Sequence, residues 1–264
     1  MGKVIMVASG KGGTGKTTFT ANLGTALAMH GKLVVLVDMD MGLRNLDVAL
    51  SLESNIVYDV SDVLDGICGI DEVLIKDNRC ENLYFIAAPQ TRSASDFDVE
   101  KVRELWQMLR DRFDYCLIDS PAGLEGGFKY AASGADCAIM VTVPETAALR
   151  DADRVITVLE DSNIDDVRLV INKIRPSMIE EGIMMNIDDC VDILQIPVLG
   201  LVRDDEEVIK SSLQGDVAVR NVASSAGQAF KNIALRIMGE DVPIMDIQDR
   251  KLSFIEKIRI LFSK

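Results

Sequence analysis

The amino-acid sequence predicts a doubly wound α/β fold, in which a mostly parallel sheet carries helices on both faces. Apolar runs of four to six residues alternate with amphipathic stretches of nine to fourteen residues along most of the chain. This alternation is typical of parallel strands joined by crossover helices. A glycine-rich phosphate-loop pattern follows the first apolar run, and 264 residues of 48% apolar composition suffice for one large core.

The elements follow in order along the chain. The predicted buried strands are Val4–Ala8, Leu33–Val37, Leu83–Ala87, Tyr115–Ile118, Ala138–Val143, Val167–Ile171 and Val198–Val202. The predicted helices are Thr17–Met29, Val99–Arg112, Thr146–Leu159, Asn186–Leu194 and Ala226–Met238. Little periodicity remains in Gly239–Asp249, which contains Pro243. We therefore expect a P-loop domain over 1–238, a linker over 239–249 and an amphipathic helix over 250–264.

Residues 10–18 read Gly-Lys-Gly-Gly-Thr-Gly-Lys-Thr-Thr, between the first predicted strand and the first predicted helix. Glycines allow successive backbone N–H groups to surround phosphate oxygens, and the helix N-terminus adds positive potential. In this pattern Lys16 neutralises the β- and γ-phosphates and Thr17 ligates Mg²⁺. The sequence therefore predicts nucleoside triphosphate binding. The predicted nucleotide-binding residues of the loop are Gly10, Lys11, Gly12, Gly13, Thr14, Gly15, Lys16, Thr17 and Thr18.

Lys11 is a second lysine in this loop, directly after its first glycine. Its place at the start of the loop would let it project outward, toward the nucleotide of a second subunit, as an arginine finger supplied in trans does. The alternative is a solvated surface lysine. Spacing alone leaves both interpretations open.

Three carboxylates follow predicted strands. Asp119 ends the run Tyr115–Ile118, where a lone acid can hold Mg²⁺, usually through water. Asp38 and Asp40 follow the second strand, and acids at that edge can hold the metal shell or orient the attacking water. For Asp40 the alternative is an ordinary surface acid of a capping loop.

The base preference is predicted from Asn172-Lys-Ile-Arg175, which follows the strand Val167–Ile171. GTPases carry a carboxylate at the fourth position of this pattern, where it accepts hydrogen bonds from guanine N1–H and N2–H₂. Arg175 can only donate. We therefore expect ATP to be preferred over GTP.

The loop, Asp38–Asp47 and Asp119–Gly123 together resemble the signature-lysine P-loop ATPases of the MinD/ParA group, most closely the members that select the cell-division site. The resemblance implies ATP and Mg²⁺ as cofactors, an ATP-bound homodimer, and catalytic roles for Lys11, Lys16 and Asp40. It also implies that Asn172 contacts adenine and that Asp38 supports the metal site with Thr17 and Asp119. The implied switch and partner residues are Arg44, Asn45, Asp47, Pro121, Gly123 and Asp151. For Asn45 and Asp47 the alternative is a capping loop with ordinary surface acids, and for Asp151 it is a charged, solvated helix start.

The implied partners are a MinC-type division inhibitor, which the protein would recruit to the membrane, and a MinE-type or other regulator that triggers hydrolysis. Two alternatives within the family stay open, a flagellar-number regulating ATPase and a ParA-type DNA partitioning ATPase. The family commonly has a proline where this chain has Arg203, in Arg203–Asp205. This difference leaves the base contacts at 203–205 undetermined.

Composition argues against several other classes. The formal net charge is −14, and because residues 250–264 carry +4, the rest of the chain carries −18. An acidic body is a poor match for DNA phosphates, so no nucleic-acid partner is expected. Five scattered cysteines without a Cys-x-x-Cys pair indicate reduced thiols of a cytosolic protein rather than disulfides or cluster ligands. No spanning helix or signal peptide is predicted.

The last fifteen residues predict an amphipathic helix on an anionic membrane surface. Basic residues flank its apolar face, and the alternative is a helix that docks on its own domain. The predicted membrane residues are Phe254, Ile255, Ile258, Leu261 and Phe262. We therefore expect a cytoplasmic protein that associates peripherally with the inner face of a bacterial cell membrane.

Overall fold

A central sheet organises the part of the chain that the structure describes. The structure is a computed structural model and describes residues 2–41, 44–90, 97–124, 126–245 and 247. Its strands are β1 (Lys3–Ala8), β2 (Val34–Asp38), β3 (Ile75–Lys76), β4 (Leu83–Ile86), β5 (Tyr115–Asp119), β6 (Cys137–Thr142), β7 (Val167–Ile174) and β8 (Val198–Arg203). These eight described strands form one sheet in the order β3-β4-β2-β5-β1-β6-β7-β8. Every pairing is parallel except that of β3 with β4.

Helices cover both faces of this sheet. They are α1 (Lys16–Met29), α2 (Leu46–Leu50), α3 (Val60–Leu64), α4 (Ile70–Val73), α5 (Val99–Arg112), α6 (Phe128–Ala132), α7 (Thr146–Asp161), α8 (Pro176–Glu180), α9 (Ile187–Leu194), α10 (Glu206–Leu213) and α11 (Ser225–Ile237). Residues of α1, α2 and α11 pack into the core on one face. Residues of α3 to α7 and α9 pack into the core on the other face.

The strands are buried on both faces, which explains their continuous apolar sequences. In β1, Val4, Met6 and Ala8 join one core, while Ile5 and Val7 join the other. This alternation is the period of two that a β-strand imposes on its side chains. Because both faces need apolar side chains, the strand reads as an uninterrupted apolar run.

All seven predicted strands and all five predicted helices are confirmed, and their ends differ from the prediction by at most three residues. The sequence missed β3, α10 and the shorter helices. Strand β3 has two residues and α2 has five, so neither is long enough to display a period. The doubly wound, mostly parallel fold class is confirmed.

The predicted linker is irregular where it is described, at 239–245 and 247. It is nevertheless attached to the domain. The Arg236 guanidinium donates hydrogen bonds to the carbonyl oxygens of Val242 and Pro243, at 2.7 and 2.5 Å. Met245 packs against one core and Ile247 against the other. Among the described helices, none is long and apolar enough to cross a membrane.

Candidate functional site

The glycine-rich loop lies between the carboxyl end of β1 and the start of α1, as predicted. Gly13 and Gly15 have positive φ angles of 84° and 89°, which side chains with a Cβ rarely adopt. Gly10 has a different requirement, because a Cβ there would lie 2.4 Å from the Ala152 backbone nitrogen of α7. The loop is thus shaped by its own turn and by its contact with α7.

Lys16, Thr17 and Asp119 come together at the carboxyl ends of two adjacent strands. Val7 of β1 pairs with Asp119 of β5, which places the loop after β1 beside that carboxylate. Lys16 Nζ lies 2.8 Å from Asp119 Oδ1, and Thr17 Oγ1 donates to Asp119 Oδ2 at 2.7 Å. The Lys16 and Asp119 side chains are 6% and 1% exposed. A half-buried hydroxyl and a buried carboxylate of this kind are the hard oxygen ligands that Mg²⁺ prefers.

Asp38 lies next to Asp119 in the sheet, since β2 and β5 pair these two residues. Its buried carboxylate accepts hydrogen bonds from the backbone N–H groups of Asp40 and Leu46, at 2.8 and 3.3 Å. Burial, and secondarily the Asp119 carboxylate, raise the pKa of Asp38 to about 7. Asp38 therefore fixes the start of the segment that carries Asp40.

Asp40 faces the phosphate loop across a cavity of about 430 Å³. Loop residues and Asn45 line the same cavity, which we call the phosphate cavity. Burial raises the pKa of Asp40, and the ammonium group of Lys16 partly opposes this shift. Asp40 and the loop therefore border the same space, in which a phosphate would bind.

Two features of this cavity indicate a missing ligand with several oxygen atoms. Ser9 Oγ and Thr14 Oγ1 are buried hydroxyl oxygens without a hydrogen-bond partner in the described part of the chain. Such groups are normally satisfied. In addition, a Cβ at Gly12 or Gly13 would meet nothing within 4 Å, so the backbone there is open to a ligand. The residues present therefore fit a nucleotide polyphosphate with Mg²⁺.

Lys11 lines the mouth of the same cavity. Its ammonium donates to Glu145 Oε2 at 2.7 Å, and the two side chains are 34% and 57% exposed. An ion pair this exposed contributes at most about 1 kcal/mol. Lys11 is therefore held within its own chain by a bond that another anion can replace.

The predicted switch residues after β2 divide into two groups. Asn45 lines the phosphate cavity. Asp47 is 4% exposed, and its Oδ2 accepts from Arg44 Nε at 3.1 Å. Arg44 has a positive φ of 42°, which is uncommon for a non-glycine residue. Because Asp47 is buried, the structure favours a role in positioning this segment over a place on an exposed dimer face.

The predicted residues after β5 and in α7 also meet the loop. Pro121 is buried, and Gly123 donates its backbone N–H to the Ser9 carbonyl oxygen at 2.8 Å with φ of 72°. Asp151 lies on α7 where that helix contacts Gly10. Both segments can therefore respond to a shift of the loop.

A second cavity of about 420 Å³ adjoins the first and shares Gly15, Thr18 and Lys173 with it. Asn172 lines this cavity, and its Nδ2 donates to the Thr14 carbonyl oxygen at 2.8 Å. No role was predicted for Lys173. Its ammonium donates to the Gly13 carbonyl oxygen at 2.8 Å, from a residue with a positive φ of 55°. The sequence signal that could have indicated this role is the position of Lys173 directly after Asn172, at the carboxyl end of a strand.

The five predicted membrane residues, Phe254, Ile255, Ile258, Leu261 and Phe262, lie outside the described residues.

The fold and this two-part site define a P-loop nucleotide-binding protein. A family model described as the CobQ/CobB/MinD/ParA nucleotide binding domain matches residues 5–219. The chain is 48% identical to the septum site-determining protein MinD of Bacillus subtilis (strain 168), over 99% of this chain and 98% of the relative. The chain therefore belongs to the CobQ/CobB/MinD/ParA family.

Solved structures of similar proteins agree with this family assignment. The MinC:MinD cell division protein complex of Aquifex aeolicus matches with a TM-score of 0.87 and 41% identity, covering 92% of this chain and 99% of that chain. The septum site-determining protein MinD of Pyrococcus horikoshii, complexed with Mg-ADP, matches with a TM-score of 0.80 and 28% identity, covering 97% and 99%. Together with the Bacillus relative, these similarities assign the chain a role in placing the division site.

Proposed function

We propose that this chain is an ATPase that dimerises when it binds ATP, associates with the membrane and recruits a MinC-type division inhibitor there. The observation that carries the proposal is that Lys16 and Thr17, both bound to Asp119, line a cavity with two unsatisfied hydroxyl groups. The Mg-ADP bound by the Pyrococcus horikoshii relative supports nucleotide and magnesium as the ligands.

In this proposal each residue of the phosphate cavity has a defined task. Lys16 neutralises phosphate charge, and the loop N–H groups hold the phosphate oxygens. Thr17 and Asp119 hold Mg²⁺, which supplies further neutralisation of the charge that develops during phosphoryl transfer. Asp38 orders the segment after β2 that carries Asp40.

Asp40 orients the attacking water for hydrolysis. Its carboxylate lines the phosphate cavity opposite the loop. Lys11 completes the site across a dimer interface, after it leaves Glu145 for the nucleotide of the partner subunit. The weak exposed ion pair allows this exchange at a cost of about 1 kcal/mol or less.

The C-terminal residues 250–264 form the membrane contact. One amphipathic helix with a few basic residues binds an anionic surface weakly. Two such helices on one dimer bind together, and the second insertion is intramolecular, which raises avidity by about 10²–10⁴. ATP thus controls membrane association through dimerisation, with the protein cytoplasmic as a monomer and peripheral on the inner face of the membrane as a dimer.

The MinC:MinD complex of Aquifex aeolicus supports a MinC-type partner. A MinE-type or comparable regulator would trigger hydrolysis and release. The −18 charge on the chain outside residues 250–264 argues against DNA as a partner.

Sedimentation with vesicles of anionic phospholipid tests the proposal. The full chain should sediment with Mg-ATP and stay in solution with Mg-ADP or without nucleotide. Lys16→Ala should abolish nucleotide binding and sedimentation together. Phe262→Glu should bind ATP and dimerise but remain in solution, while Phe262→Leu, which keeps the side chain apolar, should still sediment. Equal sedimentation with ATP and ADP would refute the switch.

A further inference from the structure

The second cavity, in which the nucleotide base is expected to lie, contains an ion pair between Arg175 and Asp204. Arg175 follows the end of β7 and Asp204 follows the end of β8, and both line the cavity. The Nε and Nη2 atoms of Arg175 lie 2.6 and 2.5 Å from the same oxygen, Asp204 Oδ2. The Asp204 N–H donates to the Ile174 carbonyl oxygen at 2.9 Å, which holds the ends of the two strands side by side.

The neighbouring Asp205 is not available to a base. Its carboxylate accepts hydrogen bonds from Glu207 N, Ser224 Oγ, Ser225 Oγ and Ala226 N, at 2.9 to 3.1 Å. These bonds join the start of α10 to the start of α11. Asp205 therefore builds the wall of the cavity, and Asp204 is the adjacent carboxylate that lines it with Arg175.

The chemistry of the two purines differs at the edge that a carboxylate reads. Guanine presents two parallel donors, N1–H and N2–H₂, which pair with both oxygens of one carboxylate. Adenine presents a single donor, the N6 amine, next to the N1 acceptor, and therefore needs only one oxygen. Occupying one carboxylate oxygen removes the guanine mode and leaves the adenine mode possible.

We propose that Arg175 sets the preference for adenine by occupying Asp204 Oδ2, so that Asp204 accepts one hydrogen bond from a base and cannot accept two. This inference rests on the proposed ATP-binding function and identifies the pair that selects the base. It also changes the role of Arg175. The sequence indicated that Arg175 cannot accept from guanine, and the structure adds that it prevents the acid beside it from doing so.

Titrations with the fluorescent analogues mant-ATP and mant-GTP test the proposal in the full chain with Mg²⁺. The wild type should prefer mant-ATP. Arg175→Ala frees both oxygens, and the affinity for mant-GTP should rise by up to about fivefold relative to mant-ATP. The gain is limited because the Arg175 and Asp204 side chains are 57% and 31% exposed, and an ion pair this exposed is worth about 1 kcal/mol or less. Arg175→Lys supplies one donor to Oδ2 and should keep most of the preference.

Two further variants separate this mechanism from a general loosening of the cavity. Adding Asp204→Asn to Arg175→Ala should cancel the gain in mant-GTP affinity, because the amide has only one acceptor oxygen. Arg168→Ala is the matched control, since Arg168 lies near the start of the same strand and pairs with Asp166 at 2.8 Å. It should leave the preference unchanged.

Three results would overturn the inference. One is that Arg175→Ala leaves the ratio of the affinities for mant-ATP and mant-GTP unaltered. If the wild type still binds mant-ATP, the proposed function stands. Another is a gain in mant-GTP affinity that survives Asp204→Asn. The third is a wild type that binds neither analogue, which would remove the proposed nucleotide site together with the inference.

Discussion

Replacing Gly10 with Ala tests whether the phosphate loop is seated on α7. The added Cβ would lie 2.4 Å from both the Ala152 nitrogen and the Asp151 carbonyl carbon. These are backbone atoms of a helix, so neither can rotate away as a side chain could. Gly10 has no positive φ, and the effect is therefore one of space rather than of backbone conformation.

The size of the effect follows from this contact. Overpacking of a tight site destabilises a protein by about 1–3 kcal/mol, and a backbone obstacle places Gly10→Ala at the upper end of that range. Gly12→Ala is the matched control in the same loop, because its Cβ would meet nothing within 4 Å and its φ is not positive. A tolerated Gly→Ala change leaves stability unaltered or raises it by about 0.4–1 kcal/mol.

Urea unfolding without nucleotide, followed by circular dichroism, measures both variants. The free energy of unfolding of Gly10→Ala should fall below that of Gly12→Ala by about 2–4 kcal/mol, with equal m-values. In thermal unfolding the difference corresponds to about 4–16 °C. Two variants of equal stability would refute the reasoning and would mean that the loop shifts freely relative to α7.

Three further predictions concern the acids and the second lysine. Asp40→Ala should retain ATP binding in calorimetry but release no phosphate, since the group that orients water is missing; hydrolysis at the wild-type rate would contradict this. Lys11→Ala in the Asp40→Ala background should bind ATP yet remain a monomer in light scattering, and an ATP-dependent dimer would reduce Lys11 to a surface lysine. The pKa of Asp38 is raised in the folded state to about 7. The folded protein therefore binds more protons than the unfolded chain between about pH 4 and 7. The contribution of Asp38 to stability falls as the pH rises through that window. The stability of the wild type relative to Asp38→Asn should therefore decrease between pH 4.5 and 7 in urea unfolding, and a flat difference would contradict the raised pKa.

The central elements and the loop could be predicted because their signals are local. A buried parallel strand is a short apolar run, and the loop's spacing fits a single turn between strand and helix. The convergence of Asp38 and Asp119 was also accessible, since both follow strands whose carboxyl ends meet at one edge of the sheet. The register that pairs these two residues confirms that placement.

The partners of individual side chains could not be predicted. Glu145 is 134 residues from Lys11 along the chain, and Asp204 is 29 residues from Arg175. Neither pair has a periodic or spacing signal, because each depends on how two loops approach one another after folding. Lys173 is a similar case, since its role depends on a positive φ that its residue type does not predict.

The attachment of the predicted linker sets the reach of the proposed membrane helix. Eleven free residues, 239–249, would span up to about 36–40 Å when extended. Ile247 packs against the core, so two residues separate it from residue 250, and a two-residue chain reaches at most about 7 Å. Under the proposed function, a short tether would keep both helices of a dimer close to the domain edges, where the effective concentration for the second insertion would be high.

Arg236→Ala tests this consequence, because Arg236 donates to the Val242 and Pro243 carbonyl oxygens that hold the segment. Its loss should expose residues 239–249 to limited proteolysis and lengthen the tether, while ATP-dependent dimerisation persists. The affinity of the dimer for anionic vesicles should then fall by about tenfold, as the effective concentration decreases roughly with the −3/2 power of tether length. Lys231→Ala removes one positive charge from the same helix without touching the segment and should change neither property. If Arg236→Ala increases cleavage at 239–249 but leaves vesicle affinity unaltered, tether length does not control avidity, and the two helices must be positioned by contacts with the domain instead.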